Sequence, residues 1–128
     1  MGKSTIQMES VSKAVGPYSP GAKAGPLVYS SGQASMDPQG NIIGIGDVGT
    51  QTVETLKNLT AVLAAAGATL NDVVKTTVFL ADLRHYDAMN EAYCKFFPKD
   101  PPARSTVLAP LVVPNLLVEI EVIAVVGD

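Results

Sequence analysis

The stretch at 116–126 constrains the fold more than any other part of the sequence, because both of its faces are largely apolar. Reading alternate residues as a β-strand gives one wholly apolar face, made of Leu116, Val118, Ile120, Val122, Ala124 and Val126. The opposite face mixes apolar side chains with two carboxylates, in the order Leu117, Glu119, Glu121, Ile123 and Val125. Solvent-exposed faces rarely hold so many large apolar residues, and core faces rarely hold two carboxylates. We therefore predict that the first face packs on helices and that another subunit covers the second.

Residues 73–81 are rich in β-branched side chains and predict a second strand of this kind. The side that faces the helices should consist of Val74, Val78 and Leu80, and the mixed side of Val73, Lys75, Thr77 and Phe79. Because a buried charge needs a partner, we predict that Lys75 forms an ion pair with Glu121.

The other segments predict an α+β fold in a single domain of residues 1–128. Short strands are predicted at 4–9, 27–33 and 104–108. Apolar residues recur at helical spacing in 50–66 and 84–97, and Gly67 is typical of a helix C-terminus. The order of these elements predicts two helices packed on one face of a mixed β-sheet.

The charge content favours an oligomer and disfavours polyanionic partners. Only 16% of the residues are charged, against roughly 25% in an average soluble domain, so part of the surface should be covered by another subunit. Nine Lys and Arg face twelve Asp and Glu, which gives a net charge of -3, and the basic residues are not clustered. We expect neither a nucleic-acid partner nor an anionic membrane surface.

Several classes of protein are disfavoured by single residues and short segments. Cys94 is the only cysteine, so no disulfide forms within the chain, and we predict a small buried side chain. A lone histidine, His85, leaves too little for a zinc site or a Ser-His-Asp triad. No apolar run is long enough to span a bilayer, and the first residues lack the apolar core of a signal peptide. We expect a cytoplasmic protein.

Two charged residues in the last quarter of the chain are candidates for a reactive site. Arg104 follows Pro101 and Pro102, which hold the chain extended, and its planar guanidinium suits a carboxylate or a phosphate. Glu119 would act as a general base, or position water, in a partly dry cleft. A surface role for Arg104 and a structural ion pair for Glu119 stay open on these patterns alone.

Four further residues are candidates for ligand contacts. Tyr18 lies in a loop rich in proline and glycine, where it would stack on a ligand or simply pack. Gly32, next to Ser31, would let a ligand approach the backbone, with a plain strand end as the alternative. Asn90 has apolar neighbours on the second predicted helix, and it either reaches into a site or bridges backbone groups.

Several short segments taken together resemble the RidA (YjgF) family of reactive-intermediate deaminases. They are Gly16-Pro17-Tyr18-Ser19, Ser31-Gly32-Gln33, Lys75-Thr76-Thr77-Val78-Phe79, Asn90-Glu91-Ala92-Tyr93, Pro102-Ala103-Arg104-Ser105 and Val118-Glu119-Ile120-Glu121. They follow the family's order over nearly the whole chain. The resemblance implies a chorismate-mutase-like α+β fold and a homotrimer, in which the sheets surround a central barrel and sites lie in the clefts between subunits.

The same resemblance implies an activity, the hydrolysis of 2-imino and 2-enamino acids such as 2-aminoacrylate and 2-aminocrotonate. Pyridoxal-phosphate-dependent dehydratases release these compounds, and the products are 2-keto acids and ammonia, without a cofactor. Arg104 would bind the substrate carboxylate, and Glu119 would position or activate water. The cleft would be lined by Tyr18, Ser31, Gly32 and Asn90, with backbone groups near Arg104 and Thr106 on the imine nitrogen. Many relatives carry Cys at the position of Thr106, so thiol chemistry there is excluded in this chain.

Two other classes of function stay open. A non-catalytic or regulatory trimer would bind a small carboxylate without turnover, because one fold supports several functions. The pairing of Arg104 with Glu119 favours an enzyme, since binding a carboxylate needs only the arginine. RNA cleavage, described for relatives, is disfavoured by the acidic balance of this chain.

Overall fold

A computed structural model describes residues 2–9, 11 and 15–127 of the chain. A mixed six-stranded sheet has the order β1-β2-β3-β6-β4-β5. Its strands are β1 (Lys3–Ile6), β2 (Gly21–Ala24), β3 (Leu27–Ser30), β4 (Val73–Leu80), β5 (Ala103–Leu108) and β6 (Val118–Val125). Neighbouring strands are antiparallel except β4 and β5, which are parallel. The α-helices are α1 (Val48–Ala65) and α2 (Tyr86–Tyr93), with short 3-10 turns at Leu70–Asp72 and Leu83–His85.

The core lies between the two helices and one face of the sheet, which confirms the predicted α+β architecture. It includes Leu56, Leu59 and Leu63 of α1, Met89 of α2, and Val118, Ile120 and Val122 of β6. The apolar face predicted for the last strand is therefore the face that packs on the helices. No helix among the described residues is long and apolar enough to cross a membrane.

Both ends of α1 have a local cause in the sequence. Asp47 accepts the backbone N–H of Thr50 at 3.0 Å and caps the helix, which begins at Val48 rather than at the predicted residue 50. Beyond the last turn, Gly67 adopts a positive φ of 81°, a conformation that ends helices and that glycine adopts without strain. The predicted stop at Gly67 is confirmed.

The strand predicted at 4–9 runs over Lys3–Ile6, and three other segments differ from the sequence-based boundaries. The sequence does not predict β2, because its four residues have little strand propensity and become a strand only through pairing with β1 and β3. The strand predicted at 27–33 ends at Ser30, where its pairing is interrupted. The helix predicted at 84–97 is α-helical only over Tyr86–Tyr93, because the chain then tightens into i→i+3 hydrogen bonds.

The face assignment at the start of β4 is wrong for Val73 and Val74. Val73 and Lys75 pair with successive residues of β6, so Val74 is the extra residue of a β-bulge. Val73 is accordingly 7% exposed and Val74 is 49% exposed, the reverse of the prediction. Beyond the bulge, Val78 and Leu80 are buried against the helices as predicted.

Two other side-chain predictions are also wrong. Lys75 turns towards β5 and donates a hydrogen bond to the hydroxyl of Ser105 at 2.9 Å, instead of pairing with Glu121. Cys94 is exposed. It directly follows Tyr93, the last buried residue of α2, and consecutive helical residues point about 100° apart.

Gln51 of α1 is a fully buried polar residue whose amide joins the helix to two loops. Its Nε2 donates to the carbonyl oxygens of Gly44 and Asn115, both at 3.1 Å. Its Oε1 accepts the N–H of Leu117 at 2.8 Å. One side chain thus satisfies three backbone groups and ties the segment that leads into β6 to α1.

We expect Gln51→Met to lower the free energy of unfolding by roughly 2–5 kcal/mol, because three backbone groups lose their partner while the side-chain volume is kept. Gln39→Met, at an exposed turn position, is the matched control and should change it by less than about 0.5 kcal/mol. Urea denaturation at equal protein concentration measures both. A Gln51→Met protein as stable as the wild type would show that the amide is dispensable.

Candidate functional site

Glu119 lies on β6, on the sheet face opposite the helices. Its neighbours Val118 and Ile120 are fully buried against the helices, so strand alternation directs Glu119 to the other side, beside Phe79 of β4. The carboxyl group is half-buried, and this burial, together with the nearby charge of Glu121, raises its pKa above the ordinary value. A glutamate in such surroundings is a stronger base than an exposed one.

The pairing between β3 and β6 is interrupted beside Glu119. Pairing resumes at Gln33, which exchanges two backbone hydrogen bonds of 2.9 and 3.0 Å with Ile120. In the gap, the hydroxyl of Ser30 accepts the N–H of Val122 at 2.9 Å and replaces the missing backbone bond. The resulting bulge turns the chain after Ser30 towards Glu119.

The bulge brings Gly32 against the side chain of Glu119. A Cβ atom at Gly32 would lie 2.8 Å from the carboxyl carbon of Glu119 and still nearer to one of its oxygens. Any residue other than glycine would therefore displace the carboxyl group. The close approach predicted at Gly32 is found, and the group that approaches is the protein's own Glu119.

A cavity of about 490 Å³ opens beside Glu119. Apolar side chains, among them Met36, Val113 and Leu116, form part of its wall. The Ser31 hydroxyl, at the rim, is already engaged as a donor to the carbonyl of Ser19. The predicted residues that meet at this cavity, called the Glu119 half-site below, are Tyr18, Ser31, Gly32 and Glu119.

Arg104 lies on β5, on the opposite face of the sheet. It is the register partner of Thr76, which is fully buried beneath the helices. The guanidinium carbon is 4.8 Å from the ring centre of Tyr93 and 5.8 Å from that of Tyr86, and Nη2 donates to the Tyr86 hydroxyl at 3.2 Å. No carboxylate of residues 2–9, 11 and 15–127 forms an ion pair with Arg104. The remaining donors of the guanidinium are therefore open to an external anion.

Two buried oxygen atoms near Arg104 lack a hydrogen-bond partner among the described residues: Oγ1 of Thr106 and Oδ1 of Asn90. Thr106 is on the same face as Arg104, two residues along β5. Asn90 belongs to α2, between the tyrosines that contact Arg104. Because buried polar atoms are rarely unpaired, both oxygens are candidates for ligand contacts. The Arg104 half-site comprises Tyr86, Asn90, Tyr93, Arg104 and Thr106.

The predicted site residues thus form two groups on opposite faces of the sheet, rather than one cleft within the chain. The sheet separates Arg104 from Glu119, so they cannot act on the same ligand from one subunit. Three residues that contribute to the half-sites, Tyr86, Tyr93 and Ser30, were not among the candidates predicted from the sequence. A tyrosine hydroxyl on an otherwise apolar helical stripe is the signal that would have identified Tyr86 and Tyr93.

The chemistry of the two half-sites suits a small organic anion better than a metal. No group of three or more His, Cys, Asp or Glu side chains is placed to hold a metal ion within the described parts of the chain. The Arg104 half-site offers a guanidinium and two unpaired oxygens, and the Glu119 half-site offers a basic carboxylate beside an apolar wall. Together they could bind a carboxylate and move a proton.

Known proteins match this chain over nearly its whole length. The family model described as "Endoribonuclease L-PSP" matches residues 8–126. A RutC family protein of Pyrococcus horikoshii is 42% identical over 122 residues, which cover 95% of this chain and 97% of that protein.

Solved structures agree with this result. RidA from the Antarctic bacterium Psychrobacter sp. superposes with a TM-score of 0.90 at 35% identity, over 96% of this chain and 99% of that one. TdcF of E. coli, solved with bound serine, superposes with a TM-score of 0.89 at 35% identity, over 97% of this chain and 99% of that one. The chain therefore belongs to the RidA (YjgF) family, which the endoribonuclease L-PSP model describes.

Proposed function

We propose that this protein hydrolyses reactive 2-imino acids, such as the tautomers of 2-aminoacrylate and 2-aminocrotonate, to 2-keto acids and ammonia. The observation that carries this proposal is a pair of complementary half-sites. One has a guanidinium with no acidic partner among the described residues, and the other has a half-buried, basic carboxylate. The serine bound to the relative TdcF supports it, because serine matches the proposed substrates in size and carries the same carboxylate.

The two half-sites would meet between subunits of a homotrimer. In a cyclic assembly with heterologous interfaces, the β5 edge of each subunit would lie against the cavity of the next. The sheet face opposite the helices carries partly exposed apolar residues, namely Tyr29 at 43%, Val107 at 41% and Val125 at 37%. Large apolar side chains that stay partly exposed on one sheet face call for cover by neighbouring subunits. The sheets would then surround a central axis, with one site at each interface.

In the proposed reaction, Arg104 binds the substrate carboxylate through two parallel hydrogen bonds. Glu119 of the partner subunit takes a proton from water while the water oxygen attacks the imine carbon, which gives a carbinolamine. That proton passes from Glu119 to nitrogen, the hydroxyl proton of the carbinolamine follows it to nitrogen as the C–N bond breaks, and a 2-keto acid and ammonia leave. Backbone groups near Arg104 and Thr106 would hold the imine nitrogen. Every atom of the products comes from the imine and water, so the reaction consumes no cofactor.

Two alternatives have weaker support. A trimer that only binds a small carboxylate would gain nothing from Glu119, because a second negative group near the ligand opposes binding. RNA cleavage is suggested by the name of the family model. However, the chain carries nine Lys and Arg against twelve Asp and Glu, and its site offers a single guanidinium, which is poorly suited to a phosphate backbone.

We expect Arg104→Lys to fold normally and to lose roughly a hundredfold in kcat/KM, because an ammonium keeps the charge without the two parallel hydrogen bonds. Arg84→Lys is the matched control, since Arg84 is an exposed arginine whose acidic partner is Asp82, and it should keep wild-type kinetics. The assay couples a dehydratase to this protein and follows imine decay. Wild-type kinetics in Arg104→Lys would mean that this residue is structural.

We expect Glu119→Gln to lose roughly a hundred- to ten-thousandfold in imine hydrolysis, because glutamine keeps the shape but is no base. It should still bind 2-ketobutyrate through Arg104 in a calorimetric titration. Full turnover in this variant would remove Glu119 from the mechanism and leave positioning by Arg104 as the source of catalysis.

Glu121→Gln is the matched control for Glu119→Gln and should keep high turnover, because Glu121 is exposed. Since the reaction needs the ionised form of Glu119, kcat/KM should fall as the pH drops through its raised pKa, above the ordinary glutamate value of about 4.3. Glu121→Gln removes a like charge that contributes to this rise. The acidic limb of the wild-type profile should therefore move to lower pH in this variant.

We expect sedimentation equilibrium to show three subunits, and mixed assemblies to regain activity. When Arg104→Lys and Glu119→Gln chains are unfolded and refolded together in equal amounts, about a quarter of the interfaces should combine an intact Arg104 with an intact Glu119. Activity should recover to the same fraction of the wild-type value. Mixtures that stay as inactive as either variant would place both residues of a site in one chain.

A further inference from the structure

Arg104 contacts two aromatic rings and has no ion-pair partner among residues 2–9, 11 and 15–127. We propose that Tyr86 and Tyr93 are positioning residues that hold the Arg104 guanidinium in a fixed plane for the incoming carboxylate. We call this pair of rings the aromatic cradle. The inference rests on the proposed function and deepens it, because it names the groups that orient the anion-binding residue before a ligand arrives.

The geometry of the cradle follows from one helix. Tyr86 and Tyr93 are seven residues apart on α2 and therefore lie on the same side, two turns from each other. Their ring centres are 5.8 and 4.8 Å from the guanidinium carbon of Arg104, both within the distance at which a cation is attracted to an aromatic ring. The guanidinium is thus held by two rings from a single rigid element.

Tyr93 is the immobile member of the cradle. It is 6% exposed, its hydroxyl is 2.8 Å from that of Thr76, and its ring centre is 4.8 Å from that of Phe97. Thr76 is itself fully buried on β4, where it is the register partner of Arg104. Strand pairing joins the backbone of Arg104 to Thr76, and the hydroxyl of Thr76 contacts that of Tyr93. The ring of Tyr93 is therefore fixed relative to Arg104.

Tyr86 is the exposed member, at 39%. Its hydroxyl accepts one N–H from Nη2 of Arg104 at 3.2 Å, while the guanidinium has five such donors. The other donors stay open to a carboxylate. A long, mobile side chain on an edge strand loses rotamer freedom when it binds a ligand. Because the cradle orders Arg104 in advance, this entropic cost of binding is smaller.

The test compares ring removal with hydroxyl removal. Tyr86→Leu and Tyr93→Leu should each weaken 2-ketobutyrate binding about tenfold, because the cation loses an aromatic partner. Tyr86→Phe and Tyr93→Phe keep the rings and should stay within about threefold of the wild type. Calorimetry with 2-ketobutyrate and with its uncharged amide, 2-oxobutanamide, should show that only the Leu variants lose preference for the acid. Phenylalanine variants as weak as the leucine variants would overturn the cradle.

A double-mutant cycle separates positioning from a merely structural role. If Tyr86 acts through Arg104, Tyr86→Leu should lower kcat/KM about tenfold in the wild type and less than about threefold in the Arg104→Lys background. Equal losses in both backgrounds would overturn the proposal. Tyr86→Leu is the decisive variant, because Tyr86 lies outside the buried core and we therefore expect the fold to survive its replacement.

A measurement without ligand keeps this inference separate from the proposed function. The cradle should slow the exchange of the Arg104 guanidinium N–H protons with water, because Nη2 donates to the Tyr86 hydroxyl, and their NMR signals are identified by their loss in Arg104→Lys. The protection should disappear in Tyr86→Leu. Unchanged exchange in that variant would overturn the cradle, whereas a wild-type protein that shows the protection but binds no 2-ketobutyrate would contradict the proposed function alone.

Discussion

The buried amide of Gln51 is the interaction on which the rest of this structure depends. Its hydrogen bonds to Gly44, Asn115 and Leu117 tie α1 to the segment that leads into β6. β6 supplies the apolar face beneath the helices and also carries Glu119 on the other side. A shift of its register by a single residue would exchange these two faces. Core packing and the position of the carboxylate therefore depend together on how β6 is held, and the buried amide of Gln51 is one of the groups that hold it.

The two half-sites hold charged groups in different ways, and neither group has an ion-pair partner in the part of the chain that the structure describes. Glu119 is confined by the close approach of Gly32, and its neighbourhood favours the neutral form of the acid. Arg104 rests on aromatic rings, which attract its charge without neutralising it. The ion pairs seen among the described residues, Lys57 with Glu54 and Arg84 with Asp82, lie elsewhere. Charge at the half-sites is thereby kept for a ligand.

The parts of the fold that follow from local periodicity could be predicted from the sequence, and the parts that depend on distant pairing could not. The alternation in 116–126 was sufficient to predict which face packs on the helices, because a central strand meets a different environment on each face. The bulge at Val74 and the interruption after Ser30 depend on how those strands pair with β6, which no local pattern reveals. The same limit applies to the site, since the family motifs identify Arg104 and Glu119 without showing that a sheet separates them.

The position of β5 at the edge of the sheet has a consequence for how the protein is made. Among the described residues nothing pairs with its outer side, and Val107 and Leu108 on this strand are 41% and 62% exposed. An uncovered strand edge of this kind is a template for indiscriminate pairing with other chains. In the proposed homotrimer a neighbouring subunit would cover this edge, so a newly synthesised chain would be most vulnerable to aggregation in the interval before it assembles.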